Sequence, residues 1–184
     1  MNSHGPDMKT AADVGGATGP AWLSGLRAYL VGAGLAHLTW ESLQLPLYTI
    51  WDQGTPRALA FAVVHCTLGD LLIALSVLVL ALVLVGDETW PRRRFWRVAG
   101  AALVFGVAYT VFSEWLNVVV RASWAYSARM PIIPVFGVRL GLSPLLQWIV
   151  VPLAAFAAVP HRARIGTTFA GSSASHDGRA DTDA

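Results

Sequence analysis

Charge is the scarcest commodity in this chain. Asp, Glu, Lys and Arg make up 13% of its 184 residues, about half the roughly 25% of ordinary soluble domains. A deficit of that size beside long apolar runs argues against a soluble core and for membrane spans. Cysteine is nearly missing as well: Cys66 stands alone, which excludes an intrachain disulfide and a cysteine-rich metal site. Lysine occurs once, against twelve arginines, and Ala, Gly and Val are abundant, a composition that reads as a GC-rich bacterial gene. Neither a sequence repeat nor an H-E-x-x-H or C-x-x-C-H signature is present. The basic isoelectric point, near 9, does not imply nucleic acid. Arg92, Arg93, Arg94 and Arg97 crowd one loop and no other stretch is basic, so the cluster reads as a topology signal and a contact for anionic membrane lipid.

What is present is a series of four apolar segments between two polar tails. Residues 1–20 and 161–184 are rich in Gly, Ala, Ser and Asp without periodicity and read as disordered. The segments cover about 22–45, 58–85, 95–120 and 142–159. About 20 helical residues cross the roughly 30 Å hydrocarbon layer, and backbone groups in lipid must be paired within the segment. The sequence therefore predicts an all-α integral membrane protein, a four-transmembrane-helix antiparallel bundle in one domain over 21–160. The fourth segment is the shortest and carries Pro144 and Pro152. The first is read as a span and not as a cleaved signal, because it lacks a basic flank and ends in HLTWESLQ where a small-residue cleavage site belongs.

Orientation follows from the basic residues. With four spans, Lys9, Arg27, Arg92, Arg93, Arg94, Arg97, Arg162, Arg164 and Arg179 share one side, and Arg57, Arg121, Arg129 and Arg139 the other. The positive-inside rule places both termini in the cytoplasm of a bacterial inner membrane. The connection 122–141, ASWAYSARMPIIPVFGVRLG, is longer than a turn requires. Its apolar MPIIPVF stretch predicts a loop lying in the interface or dipping into the bundle.

The polar residues that interrupt the spans carry the functional signal. His37, Glu41 and Gln44 follow i, i+4, i+7, and Thr110, Glu114, Asn117 and Arg121 follow i, i+4, i+7, i+11; each set shares one helix face. His65, Cys66 and Asp70 lie in the second segment and Gln147 in the fourth. At 100° per residue His65 and Asp70 point about 140° apart. Alternating helix direction brings His37, Glu41, His65, Asp70, Glu114, Asn117 and Gln147 to the same outer third of the membrane. A carboxylate at mid-membrane costs roughly 2.5–3.5 kcal/mol, so Glu41, Asp70 and Glu114 must be paired, protonated, metal-bound or wetted. Interhelical hydrogen bonding, worth about 0.6 kcal/mol per contact, accounts for Thr110 and Gln147 and extends to Asn117. It accounts poorly for two histidines and three acids in one layer, since neutral residues would join the helices as well, and it stands as the alternative to a functional cavity.

The sequence therefore points to a polar cavity. Glu41 and Glu114, with His37 and His65 as partners, are the candidate catalytic residues for proton-relay chemistry on a lipid-like small molecule. Asp70, Asn117, Arg121, Trp124, Tyr126 and Gln147 are the candidate cavity residues, Trp124 and Tyr126 as interface anchors able to roof it. Histidine and glutamate inside a small bundle loosely resemble the four-helix sterol isomerases of the emopamil-binding type, without an aligned motif. His37, Glu41, His65 and Glu114 are also the right atoms for a metal, and the two histidines for a haem, so the cofactor stays open. A third reading is a subunit whose polar layer meets other membrane subunits.

Overall fold

A computed structural model describes residues 21–160. The two tails, with Lys9, Arg162, Arg164 and Arg179 of the basic count, lie outside the described residues. The chain runs through α1 (Ala21–Gln44), a 3₁₀ turn (Leu45–Leu47), a short α2 (Ile50–Gln53), α3 (Pro56–Val85), α4 (Phe95–Glu114) with a π-helical extension (Trp115–Val120), β1 (Ile132–Val135), β2 (Val138–Gly141) and α5 (Leu142–Ala157). Local chemistry sets the boundaries. Pro46 has no N–H to continue the i→i−4 ladder, and α1 gives way after Gln44 to the 3₁₀ turn. Thr55 caps α3 by accepting from the Ala58 amide at 3.2 Å, with Pro56 in the first turn, where its missing N–H costs nothing. Pro144, the third residue of α5, also falls within a first turn.

The four long helices pack in a ring. α1 touches α3 and α5, and α4 touches the same two, so α1 and α4 face each other diagonally. Neighbours run antiparallel: Phe95 at the start of α4 meets Phe156 near the end of α5, and His37 late in α1 meets Gln147 early in α5. The apolar core fills the half of the ring nearest the 86–94 loop. There Tyr29, Leu78, Trp90, Val98 and Phe156 are buried among small residues such as Ala33, Ala74, Ala81, Ala102 and Ala155, which let the backbones approach closely. Gly32 serves the same end, since a Cβ there would stand 3.4 Å from the Ala155 Cα.

Among the described residues two helices are long and apolar enough to cross a membrane, Pro56–Val85 and Phe95–Val120. α1 is 24 residues long but is interrupted by its polar stripe. α5, at 16 residues, is shorter than the 142–159 segment read from sequence. The all-α expectation is corrected at 122–141, where the structure builds a hairpin pairing Ile132 with Gly141 and Val135 with Val138. Its two-residue turn, Phe136–Gly137, has positive φ at both positions (48° and 80°), as a twist-matched tight hairpin turn requires. The flanking Ile132, Ile133, Val135 and Val138 are β-branched residues that suit strands. MPIIPVF thus becomes one arm and the tip of a hairpin.

Two tests arise from this frame. A Cβ on Gly106 would lie 2.5 Å from Cε3 of Trp148, so Gly106→Ala overpacks the α4–α5 contact. A loss of about 1–3 kcal/mol is expected, read as a lowered thermal unfolding midpoint in detergent. In the 86–94 loop the Thr89 hydroxyl and then its amide, with help from Arg94, hold the Asp87 carboxyl below the ordinary aspartate range. The amide contact is 2.9 Å and the Arg94 ion pair 3.1 Å. A depressed folded value means that this loop's support is complete above the ordinary aspartate value and fades as pH falls through the folded one. Thr89→Val is expected to raise the Asp87 titration midpoint, measured by side-chain carboxyl NMR.

Candidate functional site

At the end of the ring away from the 86–94 loop the helices part around a cavity of about 890 Å³. Two polar units face it, one on α1, α3 and α5, the other on α4 and the loop above.

The first unit centres on Gln147. Its amide nitrogen lies 2.8 Å from Glu41 Oε1, 2.9 Å from Asp70 Oδ2 and 3.0 Å from His37 Nδ1. An amide nitrogen has two hydrogens for these three neighbours. The count closes when His37 carries its hydrogen on Nδ1 and donates to Asp70 across 3.2 Å, leaving the Gln147 hydrogens for the two carboxylates. Nε2 of His37 is then the lone-pair nitrogen, buried without a hydrogen-bond partner beside the Trp148 ring, 5.3 Å away between centroids. The network continues outward. Gln44 Nε2 donates to Glu41 Oε1 at 2.7 Å and to Gln147 Oε1 at 3.2 Å. Gln44 Oε1 accepts from the Ser143 hydroxyl at 2.8 Å, and Ser143 accepts from the Trp40 indole at 3.2 Å.

The second unit is Glu114, whose Oε2 accepts from the Tyr126 hydroxyl. Tyr126 lies flat on Gly141, where a Cβ would stand 3.0 Å from the ring; a side chain there would lift the hydroxyl off Glu114. Burial first, and then Glu114, push the phenols of Tyr126 and Tyr48 above the ordinary tyrosine range. Both stay protonated near neutral pH. Trp124 has its indole nitrogen buried close to the same carboxylate, outside hydrogen-bond geometry.

Two loops stitched by main-chain atoms roof the cavity. The Thr49 amide donates to the Ala125 carbonyl at 3.0 Å and the Ser127 amide to the Leu47 carbonyl at 2.9 Å. Tyr48 and Tyr126 form a backbone bridge between these contacts, and the Ser127 hydroxyl adds a bond to the Pro46 carbonyl at 3.1 Å. Replacing Tyr126 by Phe removes the donor from a buried carboxylate. A cost of about 1–3 kcal/mol is expected, with faster hydrogen exchange of the 123–127 amides as the reading.

The residues singled out in the sequence are not equivalent in space. Glu41, Asp70, Glu114, Asn117, Trp124 and Gln147 line the cavity. His37 is 0% exposed and stands behind the wall, touching Asp70 and Gln147, so its place is that of a positioning residue. His65 lies on the wall but is stacked on Phe61, 5.4 Å between centroids, on the exposed side of α3, away from the Gln147 network. Tyr126 touches the site through Glu114. Asn117 is turned back on its own helix, donating to the Ser113 carbonyl at 2.9 Å. Arg121 is exposed and stands off the cavity. The π-helical turn explains it: the Arg121 amide bonds five residues back to Leu116 at 2.8 Å, and the wider turn breaks the angular register that put Arg121 above Asn117. His37, Glu41, His65 and Glu114 do not come together, and among the described residues no three His, Cys, Asp or Glu side chains form a metal-ligating group. Trp40, Tyr48, Ser143 and Trp148 were missed by sequence reasoning. Ser143 and Trp40 carried no signal, being ordinary polar and interfacial residues in sequence.

No protein-family model, curated protein or solved structure matches the chain.

Proposed function

We propose that the chain is an integral membrane protein of four spans, with both termini in the cytoplasm of a bacterial inner membrane, that holds a lipid-like substrate in its cavity and moves protons on it. The observation that carries this reading is the diagonal placement of two acid–base units on one cavity, Glu41 with Asp70 and Gln147 on one wall and Glu114 with Tyr126 on the other. Such a pair suits a proton-shift reaction, in which one carboxylate takes a proton from the substrate and a carboxylic acid across the cavity returns one elsewhere on it. A shift of this kind balances without a further reactant. His37 would orient Asp70 and Gln147, as a buried positioning residue does.

The outer surface supports the membrane reading. Only 22% of the apolar stretch of α3 and 17% of that of Phe95–Val120 are buried in the protein, so neither resembles the core helix of a soluble domain. Leu35, Leu72, Val83 and Val104 point outward; exposed apolar area on this scale marks contact with lipid or a partner. α1 and α5 complete the ring and would cross with it, α5 reaching the interface through the hairpin. A second reading, a non-enzymatic subunit of a larger membrane complex, is favoured by one observation: Phe136 at the hairpin tip is 96% exposed.

The test is to incubate purified protein with a total lipid extract in heavy water and to survey the lipids by mass spectrometry. Proton-shift chemistry predicts one species that gains a single non-exchangeable deuterium. A complete absence of incorporation sinks the enzymatic reading. A C-terminal reporter active only in the periplasm overturns the topology.

A further inference from the structure

We infer that the cavity takes an organic cation, an amine-headed amphiphile with an apolar body that enters from the side between α3 and α4; this rests on the reading of the cavity as a ligand site. The first support is the charge balance of the walls. Three carboxyl groups line the cavity, Glu41, Asp70 and Glu114, and among the described residues no lysine or arginine does. The arginines at this end, Arg57, Arg121, Arg129 and Arg139, are all exposed, and Arg129 is engaged with Asp52 at 3.5 Å. Among the described residues Asp70 has His37 as a hydrogen-bonding neighbour and Glu114 has a phenol. Glu41 is held by the amides of Gln44 and Gln147, with no basic side chain among the described residues paired to it. A positive head group entering this space meets carboxylates in a medium of low dielectric, where an opposite charge is worth most. A phosphate or carboxylate head meets three acidic groups with no lysine or arginine among the described lining residues to offset them, His65 being the one base on the described wall.

The second support is the remainder of the wall. Phe61, Tyr48, Tyr109, Trp124 and Trp148 line the same cavity, and aromatic faces attract alkylated ammonium groups through their quadrupoles. The third is the route. Phe61 is 68% and Tyr109 43% exposed, yet both belong to the cavity wall. The cavity surface is therefore continuous with the outer face of the bundle between the first half of α3 and the second half of α4. Buried residues on α3 begin only at Thr67, so the two helices are not sealed against each other above that level. The roof closes the axial direction, which leaves the lateral one.

The experiment compares three amphiphiles with the same twelve-carbon tail, N,N-dimethyldodecylamine, dodecanol and dodecanoate, by thermal shift of the full chain in a non-ionic detergent at neutral pH. Equal tails equalise partition into the micelle, so differences report the head group. Two variants accompany the wild type. Gly69→Leu fills the cavity at a wall position where an added Cβ meets no atom within 4 Å, and Glu41→Gln replaces an ionisable carboxyl group by a neutral amide of the same shape. The inference predicts that the amine stabilises the wild type with an apparent affinity at least about tenfold above the other two, a tenfold step being 1.4 kcal/mol. The amine effect should vanish in Gly69→Leu and weaken about tenfold in Glu41→Gln. If dodecanol or dodecanoate binds as well as the amine and Gly69→Leu blocks them all, the cavity holds a ligand and the inference about its charge is overturned. If no amphiphile responds to Gly69→Leu, the cavity reading itself falls and takes this inference with it.

Discussion

Replacing Gln147 by leucine is expected to destabilise the protein by about 3–5 kcal/mol, the range for removing one member of a buried charged network. The size follows from what the amide holds. Its nitrogen is within 3.0 Å of Glu41, Asp70 and His37 and its oxygen within 3.2 Å of Gln44 Nε2. Leucine is close in volume, so the packing survives while the carboxylates lose donors they cannot regain from lipid or from the apolar half of the ring. Stabilities of 5–15 kcal/mol are typical of whole domains, so a loss of this size shifts a large share of the population. Thermal and denaturant unfolding in detergent, beside a Leu146→Ala control on the outer face, separates the two cases. The control is exposed and should change stability by no more than about 0.5 kcal/mol. Equal effects in both variants would mean that Gln147 is an ordinary helix-surface residue.

Glu41→Gln and Glu114→Gln are expected to do the opposite: to leave stability within about 1 kcal/mol while abolishing chemistry. A neutral amide is nearly isosteric with the carboxylate and is less costly to bury. The Gln44 and Gln147 donors of Glu41 and the Tyr126 donor of Glu114 keep an oxygen to bond. What is lost is the ability to take up and release a proton, and a positioned acid or base contributes typically 10²–10⁴-fold. Deuterium incorporation into the responsive lipid should therefore drop by about a hundredfold or more in either variant. The two losses should not multiply in the double variant, because a proton shift needs both ends of the cavity at once. A variant that unfolds without losing incorporation per folded molecule would place these carboxylates in structure and not in chemistry. His37→Asn provides the intermediate case, since it perturbs Asp70 and Gln147 from behind the wall.

How much of this was legible in the sequence depends on the distance over which each feature is encoded. Helix periodicity is local, so the i, i+4, i+7 spacing of His37, Glu41 and Gln44 carried their shared face. Alternating helix direction then carried Gln147 and Glu114 to the same level. Rotamer and depth are not local: nothing in the spacing says that His37 sits behind the wall while Glu41 stands on it. The 140° angle between His65 and Asp70 correctly separates their environments, with Asp70 in the network and His65 against Phe61. It does not reveal that a cavity of about 890 Å³ is wide enough to touch both. Arg121 shows the other limit, because one π-helical turn undoes an angular argument that assumes uniform helix geometry. The roof was the least legible part. Its contacts join Leu47 and Thr49 to Ala125 and Ser127, nearly eighty residues away, through backbone atoms that no side-chain pattern records.

That last property has its own consequence for how such a protein changes over evolutionary time. A closure built on main-chain amides and carbonyls, with the Thr49 and Ser127 hydroxyls adding single bonds to the Ala125 and Pro46 carbonyls, depends only weakly on the side chains that ride on it. Position 125, which takes part through its carbonyl, is thus free to drift while the roof keeps its shape. The apolar end, sealed by Tyr29, Trp90 and Phe156, constrains substitution far more tightly. Descendants of this fold can therefore retune what the chamber admits by altering its ceiling, with the foundation left untouched.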